Sequence, residues 1–129
     1  MTPDISKLTI ASARKHLDAK DFSAGDLAQA SLAVIKEKDG EIHAFLEVFD
    51  DVLEQATRAD EMIKAGKSQS LTGIPVALKD NMLIKGKRVS AGSKILEGYV
   101  APHDSTIAVR LKEQGAVIIG RTNMDEFAM

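Results

Sequence analysis

The sequence contains no cysteine. That excludes a disulfide framework and thiolate chemistry, and it makes the reducing cytoplasm the expected compartment. No excess of charge of either sign is present: 17 Lys and Arg face 19 Asp and Glu, for a formal net charge of −2. Such a balance leaves no footprint for nucleic acid or an anionic membrane, so a nucleic-acid partner would have to be held by another subunit. No apolar run is long enough to cross a bilayer. The opening MTPDISKLTI lacks the charged and apolar regions of a signal peptide. Neither a P-loop nor a G-x-G-x-x-G occurs, so nothing points to a bound nucleotide. His16, His43 and His103 are too far apart to show metal-ligand spacing.

What is present is enough for a core. The 129 residues are 44% hydrophobic, which suits one domain or a piece of one. Residues 1–66 read as a helical N-terminal region. Thr9 is a plausible N-cap, followed by Ile10, Ala13 and Leu17 at helical spacing. Ser23 to Asp26 has the form of a capping box, after which Ala28, Leu32 and Ile35 line one face and Gly40 is the expected stop. Ala44 to Phe49 reads as a short strand. Asp50 and Asp51 can cap a third helix, whose Val52, Ala56, Ala59 and Ile63 form an apolar stripe ending at Gly66.

Residues 67–129 change character and read as the start of an α/β core. IPVALK predicts a strand with Ile74, Val76 and Leu78 on one face and Ala77 and Lys79 on the other. DNMLIKGKRVSAGS reads as loop, turning at Gly86 and Gly92. Asp104 can cap a helix from Ser105 to Gln114 with Ile107, Ala108 and Leu111 inward, closed by Gly115. Ala116 to Gly120 is a short apolar strand of the kind buried in parallel sheets. Strand, helix, strand makes a βαβ unit. Ligands of such sheets gather beyond the carboxyl ends of the strands. Lys79 closes the first strand, and Arg121, Thr122 and Asn123 follow the second. The final GRTNMDEFAM stops in an apolar stretch just after a helix start at Asp125 and Glu126, as a truncated chain would.

Two readings of Lys79 remain open on spacing alone: a solvent-exposed lysine at a strand end, or a lysine held in a site and used as a base. A lysine is protonated at neutral pH, and burial disfavours the charged form. As the free amine it can take a proton from a hydroxyl, as in Ser–Lys acyl transfer. Ser90, Ser93, Ser105 and Thr122 are the nearby hydroxyls, and none has the setting of a nucleophile. Ser90 and Ser93 suit a turn around Gly92, and Asp80 and Asn81 suit hydrogen bonding after the strand.

GIPVALKDN, then AGSKIL, then DSTIAVRLKEQGAVIIGRTNMDEFAM together resemble the start of the amidase signature family. The match is nearly gapless over the second half. MDEFAM resembles, within that family, the glutamine-hydrolysing component of tRNA-dependent amidotransferases. The resemblance implies a mixed, mostly parallel sheet flanked by helices, here only begun. It implies that Lys79 is the catalytic lysine of a Ser–cis-Ser–Lys triad that releases ammonia from glutamine. It also implies a heterotrimeric complex in which a partner, using ATP and Mg, amidates glutamate or aspartate misacylated on tRNA. No cofactor is implied for this chain. Both serines of the triad lie, in the family, in a Gly/Ser-rich stretch after MDEFAM. The chain alone is therefore expected to be inactive and marginally folded. Val89-Ser90 and Arg121 depart from the two threonines and the lysine common there. The alternatives are a general carboxamide hydrolase of the same family and a non-catalytic partner-binding module.

Overall fold

A computed structural model describes residues 3–129. Their elements run α1 (Ile10–Ala19), α2 (Ala24–Ile42), β1 (Phe45–Val48), α3 (Val52–Lys64), β2 (Pro75–Lys79), α4 (Thr106–Glu113) and β3 (Val117–Thr122), with 3-10 turns at Ile5–Lys7, Lys94–Leu96 and Glu126–Ala128. This is the mixed α/β class expected from the sequence.

The first two helices start where the capping residues predict. The Thr9 hydroxyl accepts from the Ser12 N–H, and the Ser12 side chain accepts from the Thr9 N–H. Ser23 and Asp26 do the same for α2. Gly40 does not stop α2. The helix runs on to Ile42, and His43 ends it in the left-handed region at φ 55. The Asp39 carboxylate holds the exit by accepting from the Ala44 N–H at 2.7 Å. In α3, Val52, Ala56 and Ala59 are buried as the stripe predicts. Alanine at 56 and 59 leaves room for α2 to approach closely, and the two helices pack together.

The sheet has the order β1-β3-β2. β2 and β3 are parallel, as a βαβ unit requires, and β1 joins the other side of β3 antiparallel. β3 is therefore central, and Val117, Ile118, Ile119, Gly120 and Arg121 are all buried. Helices α2 and α3 cover β3, and one core cluster joins Leu17, Leu27, Val52, Ile74, Leu78 and Ile118. Each large side chain fully enclosed there stabilises the fold by about 1.5–3 kcal/mol.

Two details explain how β1 docks. A Cβ on Gly120 would lie 2.2 Å from the Glu47 carbonyl oxygen, so only glycine permits this approach. The register also shifts between Phe45 and Glu47, the mark of a bulge. β1 is too short to reach Ile118, and the Gln55 side chain of α3 takes its place. The Ile118 N–H donates to Gln55 Oε1 at 2.8 Å, and Gln55 Nε2 donates to the Ile118 carbonyl at 3.0 Å. The amide thus pairs the two backbone groups that a longer strand would have paired.

Several expected caps act elsewhere. Asp51 occupies the N-cap position of α3 but makes no capping hydrogen bond. Asp50 and Asp51 instead both accept from Lys87 Nζ, at 3.2 and 3.0 Å, and Lys87 lies 4.7 Å above the Phe49 ring. Asp104 does not cap α4. Ser105 does, while Asp104 accepts from the Lys85 N–H and from Lys112 Nζ. Ile107 points outward with 48% exposure, because the inward face of this short helix is centred on Ala108. Gly115 ends the helix at φ +71 as expected. Among the described residues no helix is long and apolar enough to cross a membrane.

Candidate active site at the carboxyl ends of β2 and β3

The parallel pairing brings the ends of β2 and β3 side by side, with Lys79 opposite Thr122. The Asp80 N–H donates to the Thr122 carbonyl at 3.1 Å, which extends the pairing by one residue. The Lys79 carbonyl accepts from the Met82 N–H at 3.0 Å and starts the turn into the loop. Lys79 itself is exposed. Among the described residues no carboxylate and no hydroxyl is bonded to its Nζ. The enclosure that a lysine base needs is therefore not provided by residues 3–129.

Its neighbour is the opposite case. Asp80 is 1% exposed. One carboxylate oxygen accepts from the Ser90 N–H at 3.1 Å and from Arg121 at 2.8 Å. The other accepts from the Ser90 hydroxyl at 2.5 Å and from the Gly92 N–H at 3.0 Å. These are charge-assisted bonds, the stronger kind. Burial opposes the ionisation of Asp80, but the Ser90, Gly92 and Arg121 bonds outweigh it and hold the carboxyl below its ordinary value. Arg121 also donates from Nε to Glu47 at 2.9 Å. Burial works against its charge too, and the two carboxylates overcome it, holding Arg121 above its ordinary value.

The loop between is shaped by the same carboxylate. Ala91 and Gly92 both sit at positive φ, 50 and 65. A Cβ on Gly92 would meet the Met124 carbonyl at 2.8 Å. Ser90 and Gly92 thus aim two backbone N–H groups at the two oxygens of one carboxylate, an anion-binding concavity that Asp80 fills. Those N–H groups are consequently not free to act as an oxyanion hole.

The candidate hydroxyls are all engaged in structure. Ser90 donates to Asp80, Ser93 donates to Glu126 at 2.6 Å, Ser105 caps α4, and Thr122 donates to the Leu78 carbonyl at 3.4 Å. Arg121 and Thr122 belong to β3 itself rather than following it. Asp125 and Glu126 open a 3-10 turn, with no capping bond from Asp125. Among the described residues no three His, Cys, Asp or Glu side chains cluster as metal ligands.

The Glu47–Arg121–Asp80 chain escaped the sequence reading. Its signal was present: Glu47 interrupts the apolar run FLEV, and Arg121 follows the apolar VIIG. Opposite charges inside two strand-like runs imply partners, since buried charges are rarely left unpaired.

The amidase family model matches residues 26–129. The chain is 44% identical over 127 residues to the A-type component of glutamyl-tRNA(Gln) amidotransferase from Ruminiclostridium cellulolyticum, covering 98% of this chain and 26% of that protein. It is 46% identical, with the same coverage, to the protein of that name from Dehalococcoides mccartyi. Among solved structures it is similar to native peptide amidase from Stenotrophomonas maltophilia, with a TM-score of 0.91 and 31% identity over 96% of this chain and 26% of that one. An amidase family protein from Bacillus anthracis superposes with a TM-score of 0.88 at 31% identity, over 95% of this chain and 25% of that one. The chain spans about a quarter of the length of the relatives it matches.

Proposed function

Because the chain belongs to the amidase family, we propose that it is the N-terminal part of the glutamine-hydrolysing component of a tRNA-dependent amidotransferase, with Lys79 as its catalytic base. The observation that carries this reading is the position of Lys79. It ends β2 at the carboxyl edge of a parallel pair, where ligands of such sheets bind, and among the described residues no carboxylate neutralises it. The named relatives at 44% and 46% identity support the tRNA-dependent role over other amidases.

In this reading the serines and the oxyanion hole lie outside the 129 residues. Lys79, as the free amine, takes a proton that a bridging serine has received from the nucleophilic serine. The nucleophile's oxygen attacks the carboxamide carbon of glutamine, the C–N bond breaks, and the proton returns to the departing ammonia. Water then releases glutamate from the acyl-enzyme. Ammonia passes to a partner, which uses ATP and Mg to amidate the misacylated tRNA. The present chain alone hydrolyses no glutamine.

A second reading, a hydrolase of other carboxamides, is favoured by the likeness to peptide amidase. One experiment addresses both. Residues 1–129 are joined to the remainder of the Ruminiclostridium cellulolyticum relative, and the product is assayed in that protein's complex. The expected result is glutamine hydrolysis that Lys79→Ala lowers by at least about a thousandfold, the order seen when a nucleophile–base set loses a member. Activity on peptide amides without glutamine hydrolysis would select the second reading. Full activity of Lys79→Ala would remove the lysine from either mechanism.

A further inference from the structure

We propose that Asp80 is a positioning residue for Lys79, acting through the backbone that the two share. This inference rests on the reading of Lys79 as a base. A lysine side chain is long and flexible. Among the described residues nothing grips the Nζ of Lys79, so its placement depends on where its own backbone is held. Asp80 holds that backbone with every polar group it has. Its N–H donates to Thr122 of β3, and its carbonyl accepts from the Ala91 N–H at 2.9 Å. Its carboxylate gathers Ser90, Gly92 and Arg121. One buried residue therefore ties together the end of β2, the end of β3 and the loop that passes beside them.

The arrangement is more specific than core filling. The loop residues Ala91 and Gly92 are in left-handed conformations, and for alanine that conformation is unfavourable. The Ser90 and Gly92 N–H groups converge only because this conformation is held. The Ala91 carbonyl in turn accepts from the Phe127 N–H at 2.9 Å, so the loop carries the segment after β3 with it. Without the carboxylate the loop can relax, and the turn from Lys79 to Met82 loses its support. A displacement of about 1 Å at a reacting group costs on the order of a hundredfold in rate while leaving substrate affinity largely intact.

The test uses the same completed protein in its complex, with L-glutamine as substrate and ammonia release as the readout. Asp80→Asn and Ser90→Ala are compared with Lys79→Ala, each confirmed folded by circular dichroism at the assay temperature. The expected result is a loss in kcat of about tenfold to a hundredfold for Asp80→Asn. A smaller loss in kcat is expected for Ser90→Ala, which removes one of the four bonds to the carboxylate. KM stays within about twofold in both, a split that general loosening of the fold does not produce. Should Asp80→Asn fail to fold, Ser90→Ala alone decides. If the decisive variant is folded and keeps the kcat of the parent while Lys79→Ala is inactive, the positioning role is overturned and the base survives. Losses confined to KM overturn it equally. An active Lys79→Ala would instead overturn the reading on which the inference stands.

Discussion

Residues 9–64 and residues 80–105 are held in place by different forces. The first segment is mostly helix, and its stability comes from apolar faces: Leu17, Leu27, Val52, Ala56 and Ala59 all enter the core. Most of its polar side chains face water; Gln55 and Asp60 of α3 are exceptions, pairing the Ile118 backbone and the Ala24 and Gly25 N–H groups. The second segment has one three-residue 3-10 turn and no longer helix or strand. Its backbone N–H and C=O groups must still be paired where they are buried. Turn and loop bonds between backbone groups pair most of them, and charged side chains fix the loop at a few points: Asp80 accepts from the Ser90 and Gly92 N–H groups, Asp104 from the Lys85 N–H, and Lys87 pairs with Asp50 and Asp51. Where regular structure stops, charged side chains become the framework. Their removal should therefore be far more damaging there than in the helices.

The sharpest challenge to that contrast is Arg121→Met. It leaves Asp80 buried with no cation, and breaking a buried pair in this way costs about 3–5 kcal/mol. Urea unfolding of the completed protein, with residues 1–129 joined to the remainder of the relative, checks it, and a loss below about 1 kcal/mol would erase the difference between the segments. Acid titration follows from the same pair. Because the folded state holds Asp80 below its ordinary value, its contribution is complete above the unfolded carboxyl range near ~3.9 and is lost as pH falls through the lower folded value. The melting temperature of the parent should drop over that acid range, and Asp80→Asn should drop less steeply. Equal slopes would mean that Asp80 is not ionised in the fold.

Gln55→Leu is an intermediate case, since Gln55 belongs to α3 but pairs the backbone of β3. Leaving the Ile118 N–H and C=O without partners should cost about 1–3 kcal/mol, and hydrogen exchange at Ile118 should accelerate. The smallest effect is expected from Ser23→Ala at the start of α2. The capping bond from the Asp26 N–H and the hydroxyl's bond to the Asp26 carboxylate are lost, both partly buried, for about 1 kcal/mol in thermal unfolding. A cost at Ser23 that matched the cost of depriving Asp80 of its partner Arg121 would show that polar groups matter equally in both segments.

How much of this was legible beforehand depends on sequence distance. The starts of α1 and α2, the stripe of α3, the β2–α4–β3 order and the place of Lys79 all follow from residues within a few positions of one another. Readings failed where a local signal met a remote partner. Gly40 is a reasonable helix stop, yet Asp39 closes α2 further on by accepting from Ala44. Asp104 has the right spacing to cap α4, but Lys85 and Lys112 claim its carboxylate and Ser105 caps instead. Asp50 and Asp51 look like caps and serve Lys87, a residue 37 and 36 positions away.

The candidate site divides in the same way. Lys79 could be placed at a strand end from the alternation of IPVALK, and Asp80 could be assigned to hydrogen bonding after the strand. That Asp80 would meet Arg121, 41 residues on, and that Arg121 would reach back 74 residues to Glu47, could not. Helix periodicity, caps and strand alternation are written in neighbouring residues because they arise from the geometry of a single stretch of backbone. The antiparallel docking of β1, the substitution of Gln55 for a missing strand and the convergence on Asp80 are contacts between distant stretches. They exist only once the sheet has assembled, because burial is what makes an unpaired charge or backbone group costly enough to select its partner.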